Sequence, residues 1–300
     1  MKYGQIVKST NAVIAEYNFR LTIRQIYYRL VSPPYQLFPN VMKSYKSLVQ
    51  LLTKARERGD VDWTKIEDRR RSTSGGESGY ANPQEFVNGW MDAMNKLDEY
   101  YDRKRWATQP KYIEAWVEKE ALASLFERAS SEWRVVVFPT VGYSSLTMFM
   151  EAVVRFSKID KKIAILDFRD HDPSGIDMTR DVQNRLRKYG SFVTIKRIAL
   201  TIDQVKELNL ASNPTKIADT RTPRYVDMYG DQCWELDAYP PDKLSELVNS
   251  SVKDEIDMKK WNASIKLEKR EKKQMHDILE GNEEVEKLRK DLLDAFEKDK

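Results

Sequence analysis

Short apolar runs alternate with amphipathic segments through the middle of the chain. YIEAWVE (112–118) precedes a helical pattern, KEALASLFERA (119–129), and VVVF (135–138) precedes SLTMFMEAVVRF (145–156). IAILDF (163–168) precedes GIDMTRDVQNRLRKYG (175–190), and VTIKRIAL (193–200) closes the series. Strands and helices at this spacing predict right-handed βαβ crossovers and a mostly parallel sheet, an α/β fold.

The flanking regions read differently. Thr22-Ile23-Arg24-Gln25 fits a capping box that opens a helix with Ile23, Ile26, Tyr27 and Leu30 on its apolar face. Pro39-Asn40 then caps a second helix with an apolar stripe of Val41, Tyr45, Leu48, Leu52 and Ala55, and Gly59 stops it. A Ser/Gly-rich stretch (72–79) reads as a loop, and Asn82-Pro83 starts a helix to about Trp106 with Phe86, Trp90, Met94 and Leu97 at helical spacing. Beyond residue 252 the chain is almost wholly charged, with a sparse apolar series, Val285, Leu288, Leu292 and Phe296, and a break at Gly281-Asn282. This predicts surface helices or a helical dimer arm. The expected division is 1–108, 109–252 and 253–300.

Composition narrows the chemistry. One cysteine, Cys233, excludes an internal disulfide, and two histidines, His171 and His276, disfavour structural zinc. A catalytic metal would sit on carboxylates, which favours Mg²⁺ or Mn²⁺. No stretch matches a bilayer span or a signal peptide, so the expectation is an intracellular protein, cytoplasmic or nucleoid-associated, without a membrane partner. Lys and Arg exceed Asp and Glu by 6 over residues 1–108, whereas the remainder has a net charge of −2. The excess lies in residues 39–71, where Lys43, Lys46 and the run Arg69, Arg70, Arg71 suit either a polyanion such as DNA or a solvated helix face.

Two constellations carry candidate chemistry. Tyr28 lies off the apolar face of its helix, one turn from Arg24. A guanidinium beside a phenol favours phenolate and could hold a phosphate; the plainer reading is an amphipathic rim. Glu118 follows the first strand, and Asp170-His171-Asp172 follows the third, where open parallel sheets bind ligands. Two aspartates at i, i+2 can share a hard cation, with Glu118 as a further ligand or an acid/base. His171 is read as pointing away from it.

Together these segments resemble the topoisomerase VI A-subunit family, a winged-helix domain joined to a Toprim domain. The resemblance rests on Arg24-Gln25-Ile26-Tyr27-Tyr28, WVEKEAL (116–122), VFPTVGYSSL (137–146), DHDPSGIDM (170–178) and WELDAYPPDKL (234–244). In length the chain is most similar to the short standalone Mini-A proteins of mobile elements. The resemblance implies that Tyr28 attacks a DNA phosphodiester and becomes linked to the 5′ phosphate, that Arg24 stabilises the phosphate or phenolate, and that Glu118, Asp170 and Asp172 hold Mg²⁺. It also implies a homodimer on double-stranded DNA, with the tyrosine of one protomer working at the acids of the other. The chain departs from the family at Gln25, where Asp or Glu is usual. It has no Gly-rich nucleotide site, so strand passage would need a separate GHKL-type ATPase subunit. Two other readings compete: a Toprim nuclease that uses metal-activated water, and a non-catalytic DNA-binding factor.

Overall fold

The computed structural model describes residues 2–67, 79–140, 146–215, 219–280 and 282–297. The chain divides into two compact units, Met1–Arg71 with Lys111–Glu255, and Ser72–Pro110 with Ile256–Lys300. Each unit is therefore discontinuous in sequence. The segment before the sheet groups with the charged tail, unlike the three consecutive blocks expected.

The first unit opens with three helices, α1 (Tyr3–Ala15), α2 (Ile23–Val31) and α3 (Met42–Glu57). They close around Ile6, Val13, Ile26, Tyr27, Leu30 and Leu48. The capping box of α2 is present in full: Thr22 Oγ1 accepts the Gln25 N–H at 3.1 Å, and Gln25 Oε1 accepts the Thr22 N–H at 2.9 Å. Leu48, Leu52 and Ala55 are the buried face of α3, and Gly59 follows it at φ 77°, a left-handed conformation that suits glycine. Asn40 is not the cap of α3. Its amide instead donates to the Ser212 carbonyl at 2.7 Å, and Val41 precedes the helix without a side-chain cap. A two-residue parallel pairing, Leu21–Thr22 with Ile66–Glu67, completes this lobe.

The rest of the unit is a doubly covered sheet. Strands β1 (Lys111–Val117), β2 (Val136–Pro139), β3 (Lys162–Phe168) and β4 (Thr194–Ala199) are all parallel, in the order β2-β1-β3-β4. Helices α4 (Ala123–Ser130), α5 (Leu146–Ser157) and α6 (Pro173–Lys188) connect them. Phe126 of α4 meets Phe168 edge-on at 4.7 Å, while Trp116, Ile165, Phe149, Phe156, Val182 and Leu186 form a separate apolar cluster. Apolar side chains are needed along these strands because a parallel sheet is covered on both faces. The chain reverses direction across the sheet between β1 and β3. That is the topological switch point, and acidic residues follow both strands there, Glu118 after β1 and Asp170 after β3.

In the second unit, Asn82 caps the helix Pro83–Asn95 by accepting the Glu85 N–H at 2.8 Å. That helix stops at Lys96 instead of running to Trp106. The predicted stripe of Phe86, Trp90, Met94 and Leu97 is exposed, and Val87 and Met91 are the buried pair. Two adjoining i, i+4 stripes are both apolar here, and the tail helices decide which is covered. Those helices are Met258–Leu279 and Glu283–Glu297. Arg289 of the second donates to Asn88 at 3.1 Å, and Arg103, Arg105 and Trp106 meet Glu271, Glu268 and Trp261 of the first. Among the described residues, no helix is long and apolar enough to cross a membrane.

Candidate active site

Helix α2 carries Arg24, Tyr27 and Tyr28, and the capped start of the helix sets the packing role of Tyr27 alone. Tyr27 lies in the core as its spacing requires, with its hydroxyl donating to the Val41 carbonyl at 3.1 Å. Tyr28 departs from expectation. It is only 1% exposed, because the segment around Asn213 covers it, and Asn213 Nδ2 donates to its hydroxyl oxygen at 2.9 Å. Burial pushes the phenol well above its ordinary 10, and Glu235 adds to this. Arg24, Asn213 and Lys119 offset only part of the rise.

Arg24 does not act on Tyr28 alone. Its guanidinium lies 5.6 Å from the Tyr28 ring centroid and 4.5 Å over the Tyr45 ring, and it is paired at two points with the Glu235 carboxylate. That pairing neutralises the charge which the sequence reading assigned to phenolate stabilisation.

The acids at the strand ends are in the neighbourhood predicted for them, each with a donor already in place. Glu118 Oε2 accepts the Asp170 N–H at 3.0 Å. Asp170 Oδ1 accepts the Leu236 N–H at 2.8 Å, and its Oδ2 lies 3.1 Å from Lys119 Nζ. Asp172 caps α6 by accepting the Gly175 N–H at 2.6 Å. Arg197 fixes the turn between β3 and α6 by donating to the carbonyls of Asp170 at 2.7 Å and Gly175 at 2.9 Å. Burial raises Asp170 to about 7 against the pull of Lys119, with Glu118 adding to the rise; Glu118 is likewise raised by burial. His171 is buried and its ring packs on Tyr225, Tyr229 and Trp234.

Three participants escaped the sequence reading. Lys119 Nζ lies 3.1 Å from Glu235 and 2.6 Å from Asp237, in addition to Asp170. Burial disfavours its charge, yet the three acids outweigh that and hold the ammonium well above the usual lysine range. Burial likewise disfavours the Glu235 charge, but Lys119 and Arg24 hold its carboxyl below the ordinary range. The segment 234–244 was legible as a motif, but nothing in its spacing assigned Glu235 and Asp237 their partners.

Arg24, Tyr27, Glu118, Asp170, Asp172 and Glu235 line a cleft of about 610 Å³, whereas Tyr28, Lys119 and Asp237 are not among its lining residues. Oxygen donors of this kind suit Mg²⁺ or Mn²⁺. As arranged, however, the residues do not fit an ion: among the described residues, no three His, Cys, Asp or Glu side chains gather closely enough to hold one. Lys119, Leu236 and the α6 N-terminus occupy the carboxylates instead.

Lys43 and Lys46 are exposed on α3. Arg69, Arg70 and Arg71 lie outside the described residues. No protein-family model matches the chain, and no curated protein matches it either.

Proposed function

We propose that this protein breaks double-stranded DNA by transesterification, with the Tyr28 hydroxyl attacking a phosphodiester to form a 5′-phosphotyrosyl link and release a 3′ hydroxyl. The observation that carries this reading is the cleft at the sheet's switch point. It brings Arg24, from the helix that bears Tyr28, together with Glu118, Asp170 and Asp172 in one chain. A phosphate in the cleft would meet Arg24 as a two-point donor once Glu235 yields it. Attack also requires the Asn213 segment to withdraw from Tyr28, because the hydroxyl is covered and its proton is held tightly. As arranged, Glu118, Asp170 and Asp172 do not gather around an ion, and each instead accepts a backbone N–H of the chain. DNA, a homodimer arrangement and a separate ATPase are the partners this reading carries with it.

The burial of Tyr28 favours one alternative, a nuclease in which water attacks and Tyr28 only lines the fold. The two differ in their products. Supercoiled DNA incubated with the protein and Mg²⁺ and then denatured should carry protein trapped on its 5′ ends, which protease trims to a Tyr28 peptide. Tyr28→Phe should abolish the trapped species. Free 5′ phosphates that persist in Tyr28→Phe overturn the transesterase and favour the nuclease.

A further inference from the structure

Helix Met258–Leu279 sorts its charges by face. Its inner side is fixed by Trp261, which is buried against Trp106, and by Glu268 and Glu271, which are taken up by Arg105 and Arg103. Lys259, Lys266, Lys269, Arg270 and Lys273 are all exposed. At 3.6 residues per turn they fall within about 100° of arc, in a row that runs about 21 Å along the axis. Among the described residues none of the five is in an ion pair, because the acids at 268 and 271 face inward. Asp277 is the one acid of this helix on the same side, and it lies past the end of the row.

Such a row works against the helix that carries it. Lys266 and Arg270, and Lys269 and Lys273, are like charges at i, i+4, a spacing at which they repel. The next helix, Glu283–Glu297, has the pattern of a face that meets only water: Glu283 with Lys287, Glu286 with Lys290 and Lys290 with Asp294 alternate in sign at that same spacing. We propose that the basic row of Met258–Leu279 is a binding surface for the phosphate backbone of duplex DNA. This rests on the reading of DNA as the partner, and it adds a surface outside every segment that carries the family resemblance. A duplex supplies one negative charge per about 1.7 Å of axis, so a straight row of this length lies along roughly a dozen of them. The exposed neighbours within the row are Asn262, Ala263 and Gln274, with no aromatic ring to stack a single-stranded base and no bulky apolar side chain to enter a lipid surface. Phosphate contacts of this kind read no sequence.

Fluorescence anisotropy of a labelled duplex over a salt series, with the full chain and EDTA present, tests this apart from any cleavage. Lys266→Gln, Arg270→Gln and Lys273→Gln together should lower the slope of log affinity against log salt by about two to three and weaken binding about ten-fold or more. The same variant should melt no lower than wild type, since repelling charges are removed from an exposed face. Lys158→Gln, Arg187→Gln and Lys188→Gln remove equal charge from the exposed surface of the other unit and should change affinity about two-fold or less. An unchanged slope in the first variant, or an equal loss in the second, overturns the surface. So does a first variant that leaves anionic phosphatidylserine vesicles but keeps its duplex affinity, which would assign the row to lipid. Row-dependent duplex binding without any covalent product with Mg²⁺ overturns the transesterase and leaves the surface standing; covalent product with row-independent binding does the reverse.

Discussion

Arg24 and Glu235, 211 residues apart, meet in a two-point salt bridge that ties helix α2 to the end of the sheet, with Arg24 Nε 2.8 Å from Glu235 Oε2. Both side chains are partly buried, so the pair is neither a solvated surface contact nor a fully desolvated one. Hydrogen bonds to charged groups in such settings contribute about 1.5–3 kcal/mol. A double-mutant cycle with Arg24→Met and Glu235→Gln should show a coupling near the lower part of that range by thermal denaturation. In the proposed reaction the two singles part company. Arg24→Met should reduce the covalent DNA product by more than its loss of stability explains, whereas Glu235→Gln should not. Equal losses would mean that Arg24 serves the fold only.

Tyr28 is closed in by two small ties. Asn213 donates to its hydroxyl oxygen, and Asn40 holds the same segment through the Ser212 carbonyl. A single hydrogen bond of this kind contributes about 1 kcal/mol net, so removing both leaves the fold largely intact while loosening the cover. The Asn40→Ala, Asn213→Ala double variant should nitrate at Tyr28 several-fold faster with tetranitromethane than wild type does, read by peptide mass spectrometry. Unchanged nitration would show that Tyr28 is sealed by packing and not by this segment.

Legibility followed the range of the contacts. The strands from 111 to 199 could be read because each apolar run is bounded by local turn signals and both sheet faces demand apolar residues. Tyr27 was placed in the core by its own helix periodicity. Tyr28 was misjudged because its cover, Asn213, is 185 residues away and leaves no trace in the local pattern. Lys119 adjoins a singled-out glutamate, yet its partners Glu235 and Asp237 are 116 and 118 residues distant. The local pattern points to the stripe through Phe86 and Trp90 and gives no sign of the buried pair Val87 and Met91, since the covering helices come from the far end of the chain.

Gly175 lies at the start of α6 where it has no room for a side chain. A Cβ there would come within 2.2 Å of the Asp170 carbonyl oxygen, a backbone atom that cannot swing aside. Gly175→Ala must therefore move either the helix start or the aspartate turn. Overpacking of this kind costs about 1–3 kcal/mol. The variant should melt several degrees lower, and because Asp170 is the residue pushed, the covalent DNA product of the proposed reaction should fall in the same protein. A loss of stability with an unchanged yield of covalent product would show that the strain relaxes away from Asp170.

His171 makes stability depend on acidity in a direction that can be worked out. Burial, with Arg197 adding to it, lowers its imidazole to about 4 from the ordinary 6.5. Between those values the unfolded chain takes up a proton that the native chain refuses, so the His171 contribution falls as pH falls through that window. The full difference approaches about 3 kcal/mol at pH 4. Asp170 acts oppositely. Its carboxyl is raised to about 7, so the native chain keeps a proton that the unfolded chain has released, and this contribution grows as pH falls from 7. The wild-type profile mixes both, and a difference profile separates them. The stability deficit of His171→Asn relative to wild type should shrink by about 2–3 kcal/mol between pH 7 and 4.5, measured by denaturation at each pH. A constant deficit would mean that the fold does not resist protonation of His171.

Lys43 and Lys46 stand exposed on α3, and their proposed role is electrostatic contact with DNA phosphates. Each neutralised phosphate releases condensed counterions, so each contact adds about 0.9 to the slope of log affinity against log salt. Replacing both lysines with alanine should flatten that slope by roughly two and weaken binding to all duplex sequences alike. Because neither side chain is buried, the melting temperature should hardly change. A slope equal to that of wild type, measured by fluorescence anisotropy over a salt series, would place the duplex on another face of the chain and leave these lysines as solvated surface.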